Sequence, residues 1–544
     1  MTPPAGAGPE KAGSPGAARH SYRQILRSST LVGGASLLQM LIGLVRTKAF
    51  AVWLGPSGLG LMSVLGTVVD LARNLASLGL NASGVRRIAQ AAASGEAARI
   101  ERTAQALRAT AWVLGCVGGL ALAAASPWVS QLTFGSTERA TEIALLGAAL
   151  WLRLVADGYG ALVHGLRRIA DMTRADLLAA AVGSLVAIGL VYAWRENGVA
   201  AALVAIAAMS ALTSWWVARQ AMQPMFRGPA ATTAGTVVPD AAPAAAPPTR
   251  AELVAEAQVL LRGGLALMGS GLLTLGAAWA VRGVLVRHAG LEEAGLFQSA
   301  WALGGLLVGV VVQSMSADFY PRLVGVAQDN TAAARLVNEQ MLVNLLVGGT
   351  GVLATMTLAP VALPLLYSRA FDGAQEALRW VCLGMALRVV TWPMGTLLVA
   401  KGAQARLLVA DLVWAFTWVG LAWAWVDTRG PAGAGMAFFA AYAVQAALLV
   451  PMIRAQARMR WTAANQRLGA GMAALIGSAF AAWQLLPVPW AVGLGLLSTL
   501  MAAGLTLHVL RALVSPQALP PRLRGWLGSG VPTAIQGERQ GDRK

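Results

Sequence analysis

Charged side chains set inside apolar stretches are the groups of this sequence best placed to do chemistry. Arg388 lies in the middle of the run 379–400, and its neighbours on one helix face, Gly384, Met385, Thr391 and Trp392, include no acid. A guanidinium in that setting either holds an anion or pairs with a carboxylate from another helix, because an uncompensated cation in hydrocarbon is costly. Arg153 and Asp157 stand at i, i+4 spacing and Asp70 and Arg73 at i, i+3, so each pair falls on one helix face. Each pair is either self-neutralising, which lowers the cost of insertion, or divides its labour. In the second reading Arg153 and Arg73 contact an anionic cargo, and Asp157 and Asp70 take up protons that couple movement to a gradient. Asp411, near the run 406–427, is a further protonation candidate.

Other chemistries are poorly supplied. His164 and His288 stand near the ends of apolar runs without a second ligand at metal spacing, and read as structural. Cys116 and Cys382 are the only cysteines, both in apolar segments, so neither a disulfide framework nor a Cys-ligated metal is expected. With no G-x-x-x-x-G-K-[ST] loop, direct ATP drive within this chain is not expected. Four histidines cannot be assembled into a Ser/His/Asp constellation, so the chain does not read as an enzyme, and no cofactor is implied. Tryptophan is plentiful, 19 residues against 10 Phe and 6 Tyr. Trp414 and Trp418 share a helix face and either stack on sugar rings or belong to an interfacial belt.

The elements that must position these groups are membrane helices. Hydrophobic residues make up 57% of the 544 positions and charged residues 12%, roughly half the charged share of a soluble domain. Apolar runs long enough to cross a hydrocarbon core of about 30 Å recur along the chain. They fall at 28–50, 58–80, 108–131, 141–164, 174–194 and 198–221, then at 262–286, 294–316, 339–361, 379–400, 406–427 and 431–453. A hairpin at 468–486 and 490–511 completes an all-α, polytopic membrane protein of about 14 transmembrane helices. The expected organisation is a disordered tail at 1–27, an N-lobe of six transmembrane helices at 28–225, a linker at 226–251, a C-lobe of six at 252–455, a C-terminal helical hairpin at 456–514 and a tail at 515–544.

The formal charge of +18 reflects orientation rather than nucleic acid. Lys11, Arg19, Arg23 and Arg27, the cluster from Arg86 to Arg108, Arg167, Arg168 and Arg174, and the run from Arg454 to Arg467 all fall on one side of the membrane if the spans are as given. Both termini are then cytoplasmic. The segment 81–107, with Arg86, Arg87, Arg99 and Arg102, reads as an interfacial helix that meets anionic lipid. Loops on the other side are short, which disfavours glycosyltransferases and polymerases with an outer catalytic domain.

A shift of 235 residues lays LGPSGLGLM at 54–62 over AGLEEAGLF at 289–297, so that Gly55 meets Gly290, Gly60 meets Gly295 and Leu61 meets Leu296. The period holds an even number of helices, which makes this a parallel repeat and predicts two pseudo-symmetric six-helix lobes.

The string RTKAFAVWLGPSGLGLMSV, followed by LASLGLNASGVRRIAQAAASGE, resembles the start of the O-antigen and common-antigen flippases, the Wzx branch of the multidrug/oligosaccharidyl-lipid/polysaccharide exporter superfamily. AGLFQSAWALGGLLVGVVVQSMSADFYPRLVGVAQD and LGMALRVVTWPMGTLLVAKG are similar to the same family, so the likeness spans residues 25 to 450. The resemblance implies two six-helix bundles, alternating access and an undecaprenyl-pyrophosphate-linked oligosaccharide as cargo in a bacterial inner membrane. It also implies membrane lipids as partners, and polysaccharide polymerase and chain-length proteins as further ones. Such a headgroup needs fixed cations on its path. Arg46 and Lys48 fall inside the first string and are candidates of that kind, with lipid snorkelling as the ordinary alternative. Arg282 is their approximate counterpart in the second half. The hairpin after Arg467 looks more like the fourteen-helix lipid-linked peptidoglycan precursor flippases, and a cation-coupled multidrug exporter of the same superfamily is a further alternative.

Overall fold

The computed structural model describes residues 15–94, 97–226, 249–265 and 268–513. The connector expected at 226–251 and the tails expected at 1–27 and 515–544 lie wholly or in part outside the described residues. Of the first tail, residues 15–27 already belong to a helix.

Among the described residues the chain is all helical. Eleven helical stretches are long and apolar enough to cross a membrane. Three of them, Gly34–Ser77, Ile169–Gln223 and Gln404–Ala457, run to 44, 55 and 54 residues, and the sequence pattern divides each into two spans. Every one of the three is broken internally, at Gly55, at Arg195 and at Gly430.

The described residues up to Leu54 and from Leu61 to Leu275 form one compact unit. It contains α1 (Pro15–Ser77) apart from Gly55–Gly60, then α2 (Leu80–Ala93), α3 (Ala97–Ala124), α4 (Ser126–Phe134), α5 (Ala140–Gly165), α6 (Ile169–Trp194), α7 (Gly198–Phe226) and α8 (Arg250–Leu265). Its core gathers Leu80 and Ile88 of α2, Leu107 and Ala111 of α3, Ala161 and Leu162 of α5 and Val217 of α7. Lipid tails are as apolar as Leu, so close approach of backbones must hold such a bundle together. Gly115 and Gly119 of α3 supply it, because a Cβ on Gly119 would press on the Gly147 carbonyl of α5 at 2.6 Å. Helix α8 packs in this unit rather than opening the second half, where the sequence places it. It is held there by Leu260 in the apolar core and by the forked contact of Arg87 on α2 with Glu256, at 2.6 Å to each carboxylate oxygen.

The second unit comprises Gly55–Gly60 and the described residues from Gly276. It takes in most of α9 (Gly269–His288), then α10 (Leu291–Gly325), α11 (Asn330–Val343), α12 (Gly349–Leu366), α13 (Gln375–Ala400), α14 (Gln404–Ala457), α15 (Ala463–Leu485) and α16 (Val488–Leu513). A π-helical turn at Asn344–Gly348 joins α11 to α12. The C-terminal hairpin α15–α16 is fastened by polar side chains. Asn465 Nδ2 donates to the Asn338 carbonyl at 2.8 Å, Thr350 and Thr506 hydroxyls meet at 3.0 Å, and Thr357 and Thr499 at 3.2 Å.

The repeat register reappears in the backbone. Gly55 (φ 67°, ψ −169°) and Gly290 (φ 97°, ψ 172°) both interrupt the helix at equivalent points. The same 235-residue shift carries Arg195 (φ 52°, ψ −131°) onto Gly430 (φ 52°, ψ −135°). It also carries Arg167 (φ 58°) onto Gly402 (φ 73°). Positive φ favours glycine, so conservation of the break in Arg167 and Arg195 shows that the turn geometry, not the residue type, defines the repeat. Gly60 and Gly295, paired by the same shift, also pack on each other within the second unit. A Cβ on Gly295 would collide with the Pro56 carbonyl oxygen and come within 2.9 Å of the Gly60 nitrogen.

Gly295→Ala should therefore cost about 1–3 kcal/mol of stability, the range for overpacking. Thermal unfolding in detergent should show a clear drop in Tm for it and little change for Gly276→Ala, whose added methyl meets nothing within 4 Å; equal Tm values for the two variants would contradict the close packing.

Candidate anion-binding sites in the two units

In the first unit the mid-span charges come from α1 and α5. Asp70 and Arg73 occupy the second half of α1, and Arg153 and Asp157 the middle of α5. The self-neutralising pairs expected along each helix do not form; the partners cross between helices. Arg73 grips Asp157 in a two-pronged contact, Nε to Oδ2 at 2.7 Å and Nη2 to Oδ1 at 2.5 Å. Arg153 Nη1 reaches Asp70 Oδ1 at 3.7 Å, a looser contact between groups that are 31% and 47% exposed. The physical reason is geometric. A bidentate guanidinium–carboxylate fork needs the two groups edge to edge in one plane, and Asp157 offers that edge to Arg73 from the neighbouring helix.

Arg46, in the first half of α1, has no such partner. Its Nη1 lies 3.5 Å from the Ser184 hydroxyl of α6, and its Nε is buried without a hydrogen bond. Arg46 and Arg153 also repel one another. Lys48, two residues on, is half-buried on the same helix.

A cavity of about 290 Å³ opens against the Arg73–Asp157 pair, and Arg153, His164, Asp176 and Ser210 also line it. The side chains of Asp176 and His164 make no hydrogen bond or ion pair among the described residues. The sequence reading missed Asp176, because it falls at the very start of the fifth apolar run, where an acid is ordinary. His164, read as structural, faces this cavity as well. Among the described residues, no group of three His, Cys, Asp or Glu side chains stands where it could hold a metal ion.

In the second unit Arg282 is buried, 5% exposed, and its charge is absorbed locally. It donates to the Ala278 carbonyl at 2.9 Å and to Gln298 Oε1 at 2.8 Å, and lies 5.8 Å from the centroid of the Trp301 ring. Trp301 stacks on Trp418 at 5.2 Å and 11°, and Trp414, Phe438 and Tyr442 close the cluster. Trp414 and Trp418 are 4% and 0% exposed, so they are neither a sugar platform nor an interfacial belt but the aromatic core of α14. Arg388, midway along α13, is half-buried. Its guanidinium touches the Met385 sulfur at 4.0 Å and has no carboxylate within ion-pair distance among the described residues. Asp411 accepts a hydrogen bond from Gln445 at 3.0 Å, and the buried Tyr442 feels the charges of both Arg388 and Asp411.

One buried arginine that sequence reasoning passed over is Arg379, nine residues before Arg388. It donates to Gln375 at 3.1 Å and lies 4.0 Å above the Trp483 ring of α15. The contact fixes the hairpin to α13, so its charge is spent on structure.

Because Asp157 is 15% exposed and Arg73 34%, Asp157→Asn should destabilise the chain by about 1–3 kcal/mol, less than for a fully buried pair. Arg73→Gln combined with Asp157→Asn should recover part of that loss in thermal unfolding. Additive losses would mean that the two residues are not coupled.

Comparison with known proteins places these sites in a fold. Residues 25–326 match the family model described as polysaccharide biosynthesis protein. A search of curated proteins finds no match. Among solved structures, an inward-facing multidrug resistance MATE family transporter of the MOP superfamily superposes with a TM-score of 0.59 at 17% identity, covering 77% of this chain and 96% of that one. The lipid II flippase MurJ, in an inward closed conformation, gives a TM-score of 0.56 at 11% identity and covers 88% of this chain and 99% of that one. An outward-facing MATE transporter gives 0.53 at 16% identity, covering 79% and 95%. The chain shares the fold of these MOP-superfamily transporters, and by its match over more than half its length it belongs to the polysaccharide biosynthesis protein family.

Proposed function

We propose that this chain is a flippase that carries an undecaprenyl-pyrophosphate-linked oligosaccharide, such as an O-antigen repeat unit, across the bacterial inner membrane by alternating access, with both termini cytoplasmic. The observation that carries the reading is the pair of membrane-embedded guanidiniums without a carboxylate, Arg46 in the first unit and Arg388 in the second. A cation at the centre of a span costs about 2.5–3.5 kcal/mol on insertion scales, and the other mid-span arginines have that cost offset by acids, carbonyls or aromatic rings. An anionic cargo supplies the missing compensation as it passes. The family to which the chain belongs supports a saccharide as the rest of that cargo.

The pairs Arg73–Asp157 and Arg153–Asp70 stand beside the cavity as exchangeable contacts: a pyrophosphate can take either arginine from its acid, and the freed acid then accepts a proton. Asp176, unpartnered in the same cavity, is an added candidate for that coupling, and Asp411 is its candidate in the second unit. Lys48 is proposed to serve the path as well, and Arg282 to join it only by exchanging its Gln298 contact for the headgroup. The chain carries no chemistry of its own in this reading, and works beside the polymerase and chain-length proteins that consume its product.

A second reading, a lipid-linked peptidoglycan precursor flippase, is favoured by the hairpin α15–α16 and by the extent of the match to MurJ. Deletion of the protein separates the two by which undecaprenyl-linked intermediate accumulates on the inner leaflet, an oligosaccharide repeat unit or a peptidoglycan precursor. Arg388→Ala should reduce export at least about tenfold with normal membrane abundance, and Arg388→Lys should retain part of it, because the charge persists without the fork. Normal export by Arg388→Ala would remove this residue from the path.

A further inference from the structure

A second cavity of the first unit, about 570 Å³, lies away from the Arg73–Asp157 pair. Helices α3, α5 and α7 form it, and Arg108, Tyr159, Trp215, Arg219, Met222 and Glu101 are among its lining residues. The apolar side is supplied by Met222, with Leu162 and Ala218 beneath it. Two guanidiniums and one carboxylate therefore line a recess whose remaining side is apolar.

Neither arginine is neutralised. Arg108 Nε donates to the Ala104 carbonyl of its own helix at 3.2 Å, and Arg219 lies 5.7 Å from the centroid of the Trp215 ring. Neither has a carboxylate within ion-pair distance among the described residues. Glu101 accepts a hydrogen bond from Gln105 at 3.1 Å instead. The recess thus keeps one uncompensated positive charge.

The exposed aromatics tell what kind of anion fits. Trp112 is one turn beyond Arg108 on α3, and Trp215 one turn before Arg219 on α7, and they are 44% and 43% exposed. Helix α3 leads away from the recess and α7 leads towards it, so on both helices the arginine lies nearer the helix end and the tryptophan nearer the middle of the span. Leu212, 55% exposed, extends the apolar stripe of α7 further along the span. Cations at the end and open aromatic and aliphatic faces below them match a molecule with an anionic head and hydrocarbon tails.

We infer that the α3–α5–α7 recess binds the phosphodiester headgroup of an anionic phospholipid, with Arg108 and Arg219 on the phosphate, the Tyr159 hydroxyl within the recess as an added donor, and the acyl chains along Trp112, Trp215 and Leu212. The site is separate from the cargo path and stands or falls independently of the cargo's identity. A lipid held there joins three helices of one unit and makes the stability of that unit depend on the charge of the surrounding membrane.

The test uses the full-length protein purified in neutral detergent and titrated with dioleoylphosphatidylglycerol, dioleoylphosphatidylcholine or soluble glycerol 1-phosphate, with bound molecules counted by native mass spectrometry. One phosphatidylglycerol should be retained in clear preference to phosphatidylcholine. Loss of both arginines in Arg108→Gln, Arg219→Gln should weaken it about thirtyfold, and Arg219→Gln alone about fivefold. Arg219 is exposed, so the single variant keeps the fold and reports even if the double variant does not. Equal retention of both lipids, or unchanged phosphatidylglycerol binding by Arg219→Gln, overturns the assignment. Saturation by glycerol 1-phosphate at the same concentration as the lipid would make it a soluble-phosphate site and overturn the lipid reading.

Discussion

A guanidinium cannot shed its charge in a protein, so wherever an arginine enters a membrane span something must compensate it. The described spans of this chain use several solutions. Arg73 is clasped by Asp157 and Arg153 is held more loosely by Asp70. Arg282 is satisfied by a carbonyl, Gln298 and the Trp301 face, and Arg379 by Gln375 and the Trp483 face. Arg46 and Arg388 keep only a long contact to a hydroxyl and one to a thioether. This ordering, from neutralised to uncompensated, is what separates cations that build the structure from cations available to an anion.

The scaffold serves that placement by repeating itself. Breaks at Gly55, Arg167 and Arg195 recur at Gly290, Gly402 and Gly430, so the helices of the two halves begin and end at matched positions despite little identity in sequence. Arginine occupies two of these positive-φ positions where the partner half has glycine, and Arg195 gains in return a hydrogen bond to the Trp53 carbonyl at 3.1 Å. Glycine is indispensable elsewhere for a different reason: at Gly60 and Gly295 it lets backbones meet, which apolar side chains alone cannot enforce in lipid. The C-terminal hairpin is joined to its unit by amides, hydroxyls and a cation over an aromatic ring, the kind of polar adhesive expected where burial of apolar surface brings no gain.

Much of the helical architecture was legible because apolar length and Gly–Pro punctuation act locally, as at Gly55-Pro56 and Gly430-Pro431. Even the register of the repeat could be read from a few glycines. Partner choice was not legible. The spacing of Arg153 and Asp157 shows a shared helix face but not which neighbouring helix that face meets, and the structure exchanges both expected pairs. Trp414 and Trp418 carried the same ambiguity, since a stripe facing a core and a stripe facing sugar have identical periodicity. Asp176 and Arg379 escaped notice because each sits near the start of an apolar run, where charge is common, and only tertiary packing reveals one as an open acid and the other as a buried strut.

On the proposed function, uncompensated guanidiniums select an anionic pyrophosphate headgroup. The most direct measurement of that selection is equilibrium binding of a fluorescent polyprenyl pyrophosphate to the purified protein, in competition with inorganic pyrophosphate and with a cationic dye such as ethidium. Saturable binding that inorganic pyrophosphate displaces and ethidium does not is the predicted result. Tight binding of ethidium, with none of the polyprenyl pyrophosphate, would contradict the claim and point to an exporter of cations.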